Sequence, residues 1–281
     1  MTALTVIFPC YNEAGRLPAT LEAYLAHLSS APGEVEVLVV DDGSTDATAV
    51  VAEAAAGGDP RVRVIRTGPN RGKGFAVRAG MLAADGDRVV FTDADGSYGP
   101  GEVDRVARAL AGAPVAIGMR EAGAGTGGLT RRVASRVFNR AMRVLLGLPF
   151  RDTQCGLKGF RRDAARAVFG RARLDGFAFD AEALVLARWL RLAVAEVPVR
   201  AQERAGSKVR VIADGWRMLA QLWAVRRVAT QRPAGASTLP SRFRDSVVPS
   251  GLTNPTVVQV AADDYTAPAT SATDTAVHRK R

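Results

Sequence analysis

The chain has 281 residues, 47% of them hydrophobic, and a formal net charge of +10, so it can bury one large or two modest cores. No run reaches the eighteen or so consecutive apolar residues of a membrane span. Its two cysteines, Cys10 and Cys155, cannot build a disulfide framework, so a reducing interior is the default. Its two histidines, His27 and His278, stand apart and leave little for a Ser-His-Asp triad or a zinc site.

Apolar runs at 4–8, 35–40, 62–65, 88–92 and 114–117 alternate with helix-like stretches near 16–28, 45–56, 74–84 and 101–111. The first run, Leu4-Thr5-Val6-Ile7-Phe8, begins almost at once, so no signal peptide is expected. Pro18 suits a helix first turn, and Ser44 or Thr45 can cap the next helix. Strand, helix, strand at this spacing predicts an α/β fold with a parallel sheet covered on both faces. Ligands of such sheets bind at the carboxyl ends of the strands. The polar clusters fall there: Pro9-Cys10-Tyr11-Asn12-Glu13, Asp41-Asp42-Gly43-Ser44 and Asp93-Ala94-Asp95.

The fourth run, Val89-Val90-Phe91-Thr92, ends in two carboxylates one residue apart. Period two along a strand would point Asp93 and Asp95 the same way, where two hard oxygen ligands can hold Mg²⁺ or Mn²⁺ and leave positions for phosphate oxygens. Alone, the motif reads first as a solvated turn. Three polar clusters at one edge make that reading hard to keep. Two nucleotide motifs are absent. The first strand-to-helix turn lacks Gly-x-Gly-x-x-Gly, and Gly68-Pro-Asn-Arg-Gly-Lys73-Gly74 is one residue short of a P-loop, with Gly74 where a hydroxyl should be. Arg71 and Lys73 can face a nucleotide or solvate a helix start.

Charge divides the chain. Residues 1–128 carry 11 basic and 16 acidic side chains, and residues 129–281 carry 27 and 12. Between Arg131 and Arg173 twelve Arg or Lys face only Asp152 and Asp163. Such a block suits nucleic acid, an anionic membrane surface, a phosphorylated substrate or plain solvation. Two segments, 129–148 and 209–227, interleave Val, Leu and Trp with Arg at helical spacing, as in an interfacial helix or a helix packed on its own domain. Beyond residue 230 small and polar residues dominate, with too little apolar surface to offset ordering entropy.

Phe-Pro-Cys-Tyr-Asn-Glu (8–13), Val-Val-Asp-Asp-Gly-Ser-Thr-Asp (39–46), Asn-Arg-Gly-Lys-Gly (70–74) and Thr-Asp-Ala-Asp-Gly (92–96) occur in that order. Together they resemble the inverting glycosyltransferases of family 2. Asp152-Thr-Gln-Cys-Gly-Leu-Lys-Gly-Phe160, Phe179-Asp180-Ala-Glu182 and Gly206-Ser-Lys208 narrow the likeness to dolichyl- and polyprenyl-phosphate sugar synthases, the glucosyl branch more than the mannosyl. The match runs over roughly residues 4–228.

This resemblance implies a GT-A-like, Rossmann-type, mostly parallel sheet flanked by helices, with amphipathic helices towards the C-terminus. It implies a nucleotide-sugar-binding half over 1–128 and an acceptor-binding half over 129–230, and 231–281 is read as a disordered tail. Glu13 and Asp41 or Asp42 would meet base and ribose, with Pro9 and Tyr11 shaping that pocket. Asp93, Ala94 and Asp95 form the metal motif, with Mg²⁺ or Mn²⁺ bridging the diphosphate, and Lys73 and Arg120 stand on the donor side. Asp152 and Gln154 would line the reaction centre, and Asp180 is an active-site carboxylate or a helix cap. Arg131, Arg132, Arg136 and Lys208 would meet the acceptor phosphate.

Two substrates follow from the same resemblance: a nucleotide sugar, UDP-glucose first and UDP-N-acetylhexosamine or GDP-mannose as alternatives, and a polyprenyl phosphate. The enzyme would work at the cytoplasmic face of the membrane, peripherally or through a partner protein. A lipid phosphate with a second pKa of about 6 is already largely dianionic and needs no general base, only cationic positioning. Rival readings are a transferase acting on a soluble hydroxyl acceptor and a basic nucleic-acid-binding protein. The second lacks the aromatics of a single-strand stacking platform, so no nucleic-acid partner is expected.

Overall fold

In the computed structural model the described residues are 3–28, 34–121, 144–202, 225 and 257–259. Arg131, Arg132, Arg136, Lys208, most of both amphipathic segments and nearly all of 231–281 lie outside them.

The first half follows the expected alternation: β1 (Leu4–Cys10), α1 (Leu17–Leu28), β2 (Val35–Asp41), α2 (Thr48–Gly58), β3 (Val62–Arg66), α3 (Lys73–Ala83), β4 (Arg88–Phe91), α4 (Pro100–Ala109) and β5 (Val115–Arg120). It continues through β6 (Lys158–Arg161), α5 (Arg162–Phe169), α6 (Phe179–Trp189), β7 (Val194–Val199) and β8 (Val257–Gln259). These eight strands form one sheet in the order β3-β2-β1-β4-β6-β5-β7-β8. Every pairing is parallel except those of β6, which runs antiparallel between β4 and β5. The three-residue β8 lies within 231–281, read from composition as mostly disordered: at 257–259 the chain gains backbone pairing along β7, which composition does not reveal.

Both faces of the sheet are covered, so the strands read as continuous apolar runs. Ile7, Leu38 and Val40 pack with α3, α5 and α6 on one face, and Val6, Phe8, Val37 and Val39 with α1, α2 and α4 on the other. Val6, Ile7 and Phe8 are fully buried, each stabilising the fold by about 1.5–3 kcal/mol relative to exposure. Pro100 opens α4, a position where a missing amide hydrogen costs nothing. Because β6 is antiparallel to both neighbours, β4 and β5 share one direction. The carboxyl ends of β1, β2, β4 and β5 therefore meet the start of β6 at a single edge.

Candidate active site

That edge gathers the polar clusters. β1 and β2 end in register at Cys10 and Asp41, and the turns beyond them are stitched together. Asn12, at φ 56°, takes the left-handed backbone that asparagine tolerates. Its side-chain oxygen accepts from the Thr45 amide at 2.9 Å, its amide donates to Ser44 Oγ at 3.0 Å, and the Glu13 amide donates to Thr48 Oγ1 at 2.8 Å. Gly43 closes the second turn at φ 71°, where a Cβ would meet the Gly68 carbonyl at 2.1 Å.

The two adjacent aspartates separate in role. Asp42 is buried and accepts from the amides of Arg71 and Gly72 at 3.1 and 2.6 Å and from Thr67 Oγ1 at 3.1 Å, so its oxygens hold the loop before α3. Asp41 is equally buried, but only Oδ1 is used, by the Ser44 amide at 3.0 Å. Its Oδ2 has no hydrogen-bond partner, with Arg66 Nε 3.9 Å away. A buried acceptor without a donor is costly in isolation, which sets Asp41 apart from Asp42 as the aspartate with an unbonded oxygen. Glu13 is held by Arg16 at 2.7 and 2.6 Å, Pro9 is half-buried, and Tyr11 is exposed over the same turn.

At the metal motif one premise changes. β4 stops at Phe91, residues 94–95 form a turn, and Gly96 has φ 71°, so strand periodicity does not orient Asp93 and Asp95. Their backbone is fixed by other contacts: the buried Ala94 accepts at its carbonyl from Thr20 Oγ1 at 3.0 Å, and Asp95 Oδ1 accepts from the Ser97 amide at 2.9 Å. Lys73, first residue of α3, donates to Asp93 Oδ1. Burial alone would lower its pKa, but Asp93, Asp180 and Asp95 together raise it and keep it charged. Asp93 also leans on Gly156, where a Cβ would stand 2.1 Å from Oδ2. No group of three or more His, Cys, Asp or Glu among the described residues could hold a metal unaided. Two carboxylates instead match Mg²⁺ or Mn²⁺ completed by substrate phosphates.

The remaining predicted carboxylates are paired with cations. Asp152 accepts from Arg120 Nε at 2.7 Å and Nη2 at 3.0 Å. Burial pushes its carboxyl up, yet the Arg120 bonds and charge, with Lys158, hold it below the ordinary range. The Gln154 amide adds a bond to Asp152 at 3.2 Å. Asp180 is not a helix cap: the cap position is Ala178, and Asp180 lies buried in the first turn of α6. It accepts from Lys158 Nζ at 2.6 Å, and burial raises its pKa against the pull of Lys158 and Lys73.

Three residues carry contacts to which the sequence assigned no role. Lys158 is fully buried at the start of β6; its signal was a lysine amid the apolar run Leu157 to Phe160. Glu182, also fully buried, accepts from the amides of Arg173 and Leu174 at 2.9 Å each and fixes the loop before α6. Asp175 of that loop accepts from Arg71 and Arg78 at 2.9 and 2.7 Å, and its carbonyl takes the Gly74 amide at 2.7 Å. Arg71 also lies 3.8 Å over the Phe75 ring. The α3 start is thus occupied by the protein's own carbonyl, which agrees with the absence of a P-loop.

The profile of the family described as Glycosyl transferase family 2 matches residues 5–169. The chain belongs to this family. It is 40% identical over 227 residues to the dolichyl-phosphate beta-glucosyltransferase of Drosophila melanogaster, covering 73% of this chain and 69% of that protein. The human protein of the same name is 34% identical over 225 residues, covering 73% and 69%. The Saccharomyces cerevisiae one is 33% identical over 248 residues, covering 79% and 74%. Among solved structures the family 2 chain is similar to glucosyl-3-phosphoglycerate synthase from Mycobacterium tuberculosis in complex with Mn²⁺, UDP and glucosyl-3-phosphoglycerate. The TM-score is 0.61 at 22% identity, over 83% of this chain and 82% of that one. Glucosyl-3-phosphoglycerate synthase in complex with phosphoglyceric acid gives 0.62 at 23% identity, over 83% and 82%. These likenesses identify the GT-A-like fold.

Proposed function

We propose that this protein transfers glucose from UDP-glucose to a polyprenyl or dolichyl phosphate, inverting the anomeric centre to give a β-linked product. The relatives named dolichyl-phosphate beta-glucosyltransferase, at 33–40% identity over most of the chain, support the substrates. The observation that carries the chemistry is the Arg120–Asp152 pair. A carboxylate held ionised below its ordinary range by a bidentate arginine is a poor proton acceptor, which suits a nucleophile that arrives already deprotonated. A lipid phosphate is such a nucleophile; a sugar hydroxyl is not.

On this reading Tyr11 and Pro9 line the base, and Asp41 Oδ2 accepts from a donor N–H or ribose hydroxyl. Asp93 and Asp95 would hold a divalent cation that offsets the charge developing on the leaving diphosphate. Lys73, paired with Asp93, and Arg120, paired with Asp152, are the fixed positive charges that would orient the donor. Arg131, Arg132, Arg136 and Lys208 would receive the acceptor phosphate. No helix among the described residues is long and apolar enough to cross a membrane. On this reading the lipid would be met peripherally or through a membrane partner, at the cytoplasmic face.

The test is transfer from radiolabelled UDP- and GDP-sugars to undecaprenyl phosphate, dolichyl phosphate and soluble hydroxyl acceptors, with Mg²⁺, with Mn²⁺ and with chelator. Cation-dependent labelling of lipid from UDP-glucose is the expected result. Labelling only of a soluble hydroxyl acceptor would overturn the lipid assignment, and labelling from GDP-mannose alone would overturn the donor.

A further inference from the structure

Among the described residues Lys158 is the only fully buried basic side chain. It opens β6, in register with Phe91 at the end of β4 and with Ile117 of β5. Its ammonium donates to Asp180 Oδ1 and to the Cys155 carbonyl, each at 2.6 Å, and lies 5.7 Å from the Phe91 ring centroid. Asp180 comes from α6, whose other residues from Phe179 to Ala187 are all buried; all but Glu182 are apolar. Stability does not explain this pair. Taking both charges out of water is costly, and apolar residues of similar volume commonly serve a core as well.

What the ammonium touches suggests its use. The carbonyl it binds belongs to the peptide joining Cys155 to Gly156, and Gly156 is the residue against which the Asp93 carboxylate rests. Cys155 is itself buried, with its thiol donating to Tyr98 Oη at 3.3 Å. Phe91, registered with Lys158, ends β4 two residues before Asp93. Lys158 thus ties together α6, the loop that carries Asp152 and Gln154, and the seat of Asp93.

We propose that Lys158, with Asp180 as its counter-ion, is a positioning residue for sugar transfer: it fixes the Cys155–Gly156 peptide so that Asp93 has a single seat beside the donor diphosphate. The inference rests on the reading of Asp93 and Asp95 as the cation-holding carboxylates. Lys158 has no exposed surface and acts only through other groups. Asp180 is accordingly a structural anion rather than a proton acceptor in the reaction.

The experiment compares the full chain with the Lys158→Met/Asp180→Leu double variant, which removes both charges and leaves neither buried ion unpaired. Thermal melting reports the fold, calorimetry reports UDP binding with Mn²⁺, and steady-state transfer reports kcat and KM. The double variant is expected to melt within a few degrees of the unaltered protein. Its Mn²⁺-dependent UDP affinity should fall about 10–100-fold, the usual loss when a metal ligand's supporting partner is removed. Gly156→Ala, which pushes a methyl onto Asp93, should produce a similar loss, and the triple variant should lose less than the two combined.

A folded double variant with unchanged UDP affinity and kcat overturns the proposal. So does one that fails to fold, because the pair would then serve the core itself. Simple additivity with Gly156→Ala would break the route through that peptide. If the unaltered protein shows no cation-dependent UDP binding, the reading of Asp93 and Asp95 falls and the positioning role with it. If it does bind and only the double variant matches it, the positioning role alone falls.

Discussion

Asp152→Asn separates a charge partner from a catalytic base. The substitution keeps the shape and one acceptor oxygen but removes the charge that faces Arg120. Asp152 is 7% exposed, and its two oxygens receive the guanidinium at 2.7 and 3.0 Å. Leaving one member of a fully buried pair alone costs about 3–5 kcal/mol, whereas exposed pairs are worth about 0.2–1 kcal/mol. The Arg120 side chain is 38% exposed, so water screens the orphaned cation and the cost falls between, at about 1–2 kcal/mol. For a protein of this size that is a fall in Tm of about 2–4 °C.

The pH dependence has a definite sign. The Asp152 carboxyl is held below its ordinary range, so its contribution is complete above the unfolded value of about 3.9 and is lost as pH falls through the lower folded value. Melting curves of the two proteins should therefore differ fully at neutral pH and converge below about pH 4. Transfer to lipid phosphate at neutral pH should fall by no more than about tenfold, mostly through KM for the donor, because no proton leaves the acceptor. A loss of kcat beyond about a hundredfold, with Tm and donor KM intact, would falsify the reasoning and make Asp152 the base.

Other substitutions test single contacts. Asp95→Ala should abolish transfer while circular dichroism and Tm stay near those of the unaltered protein; substantial residual turnover would remove Asp95 from cation binding. Asp41→Asn should weaken UDP binding about tenfold in calorimetry, since its free Oδ2 would no longer offer a charged acceptor. Unchanged affinity would assign the nucleotide contact elsewhere. Glu182→Gln retains one acceptor for the amides of Arg173 and Leu174 and loses the other, so stability should fall by about 1–3 kcal/mol in denaturant titration. An unchanged midpoint would show that the loop before α6 is held by other contacts.

Much of the first half was legible because its strands are buried on both faces and end in polar residues. Continuous apolar runs fixed β1 to β5, and the clusters at Cys10, Asp41 and beyond Phe91 pointed to one edge of the sheet without any long-range information. What stayed hidden depends on contacts between distant residues. Asp152 and Arg120 are 32 residues apart, and Lys158 and Asp180 are 22 apart, beyond the reach of periodicity. The neighbours Asp41 and Asp42 cannot be told apart by pattern, yet the loop before α3 consumes one and leaves the other an open oxygen. β6 was missed for a related reason: a strand opening on a lysine is improbable in a sheet interior until its counter-ion arrives from α6.

The same contacts lead to a last prediction. Glu13, Asp41, Asp42, Asp93, Asp95, Asp152 and Asp180 place seven carboxylates along the edge. Among the described residues Arg16, Arg66, Lys73, Arg120 and Lys158 are the cations within ion-pair distance of them, and each already faces a carboxylate. A nucleoside diphosphate brought to this edge adds negative charge to a surplus of negative charge. Two like charges 4 Å apart repel by about 4 kcal/mol at an effective dielectric constant of 20. A divalent cation shared by Asp93, Asp95 and the diphosphate would reverse that sign, so the cation should govern donor binding as well as turnover. UDP affinity measured by calorimetry should fall at least tenfold when Mg²⁺ or Mn²⁺ is replaced by chelator, a loss of about 1.4 kcal/mol or more. Equal affinity in chelator would mean that lysine and arginine leave their carboxylates for the phosphates, and that the divalent ion is not needed to bring the donor in.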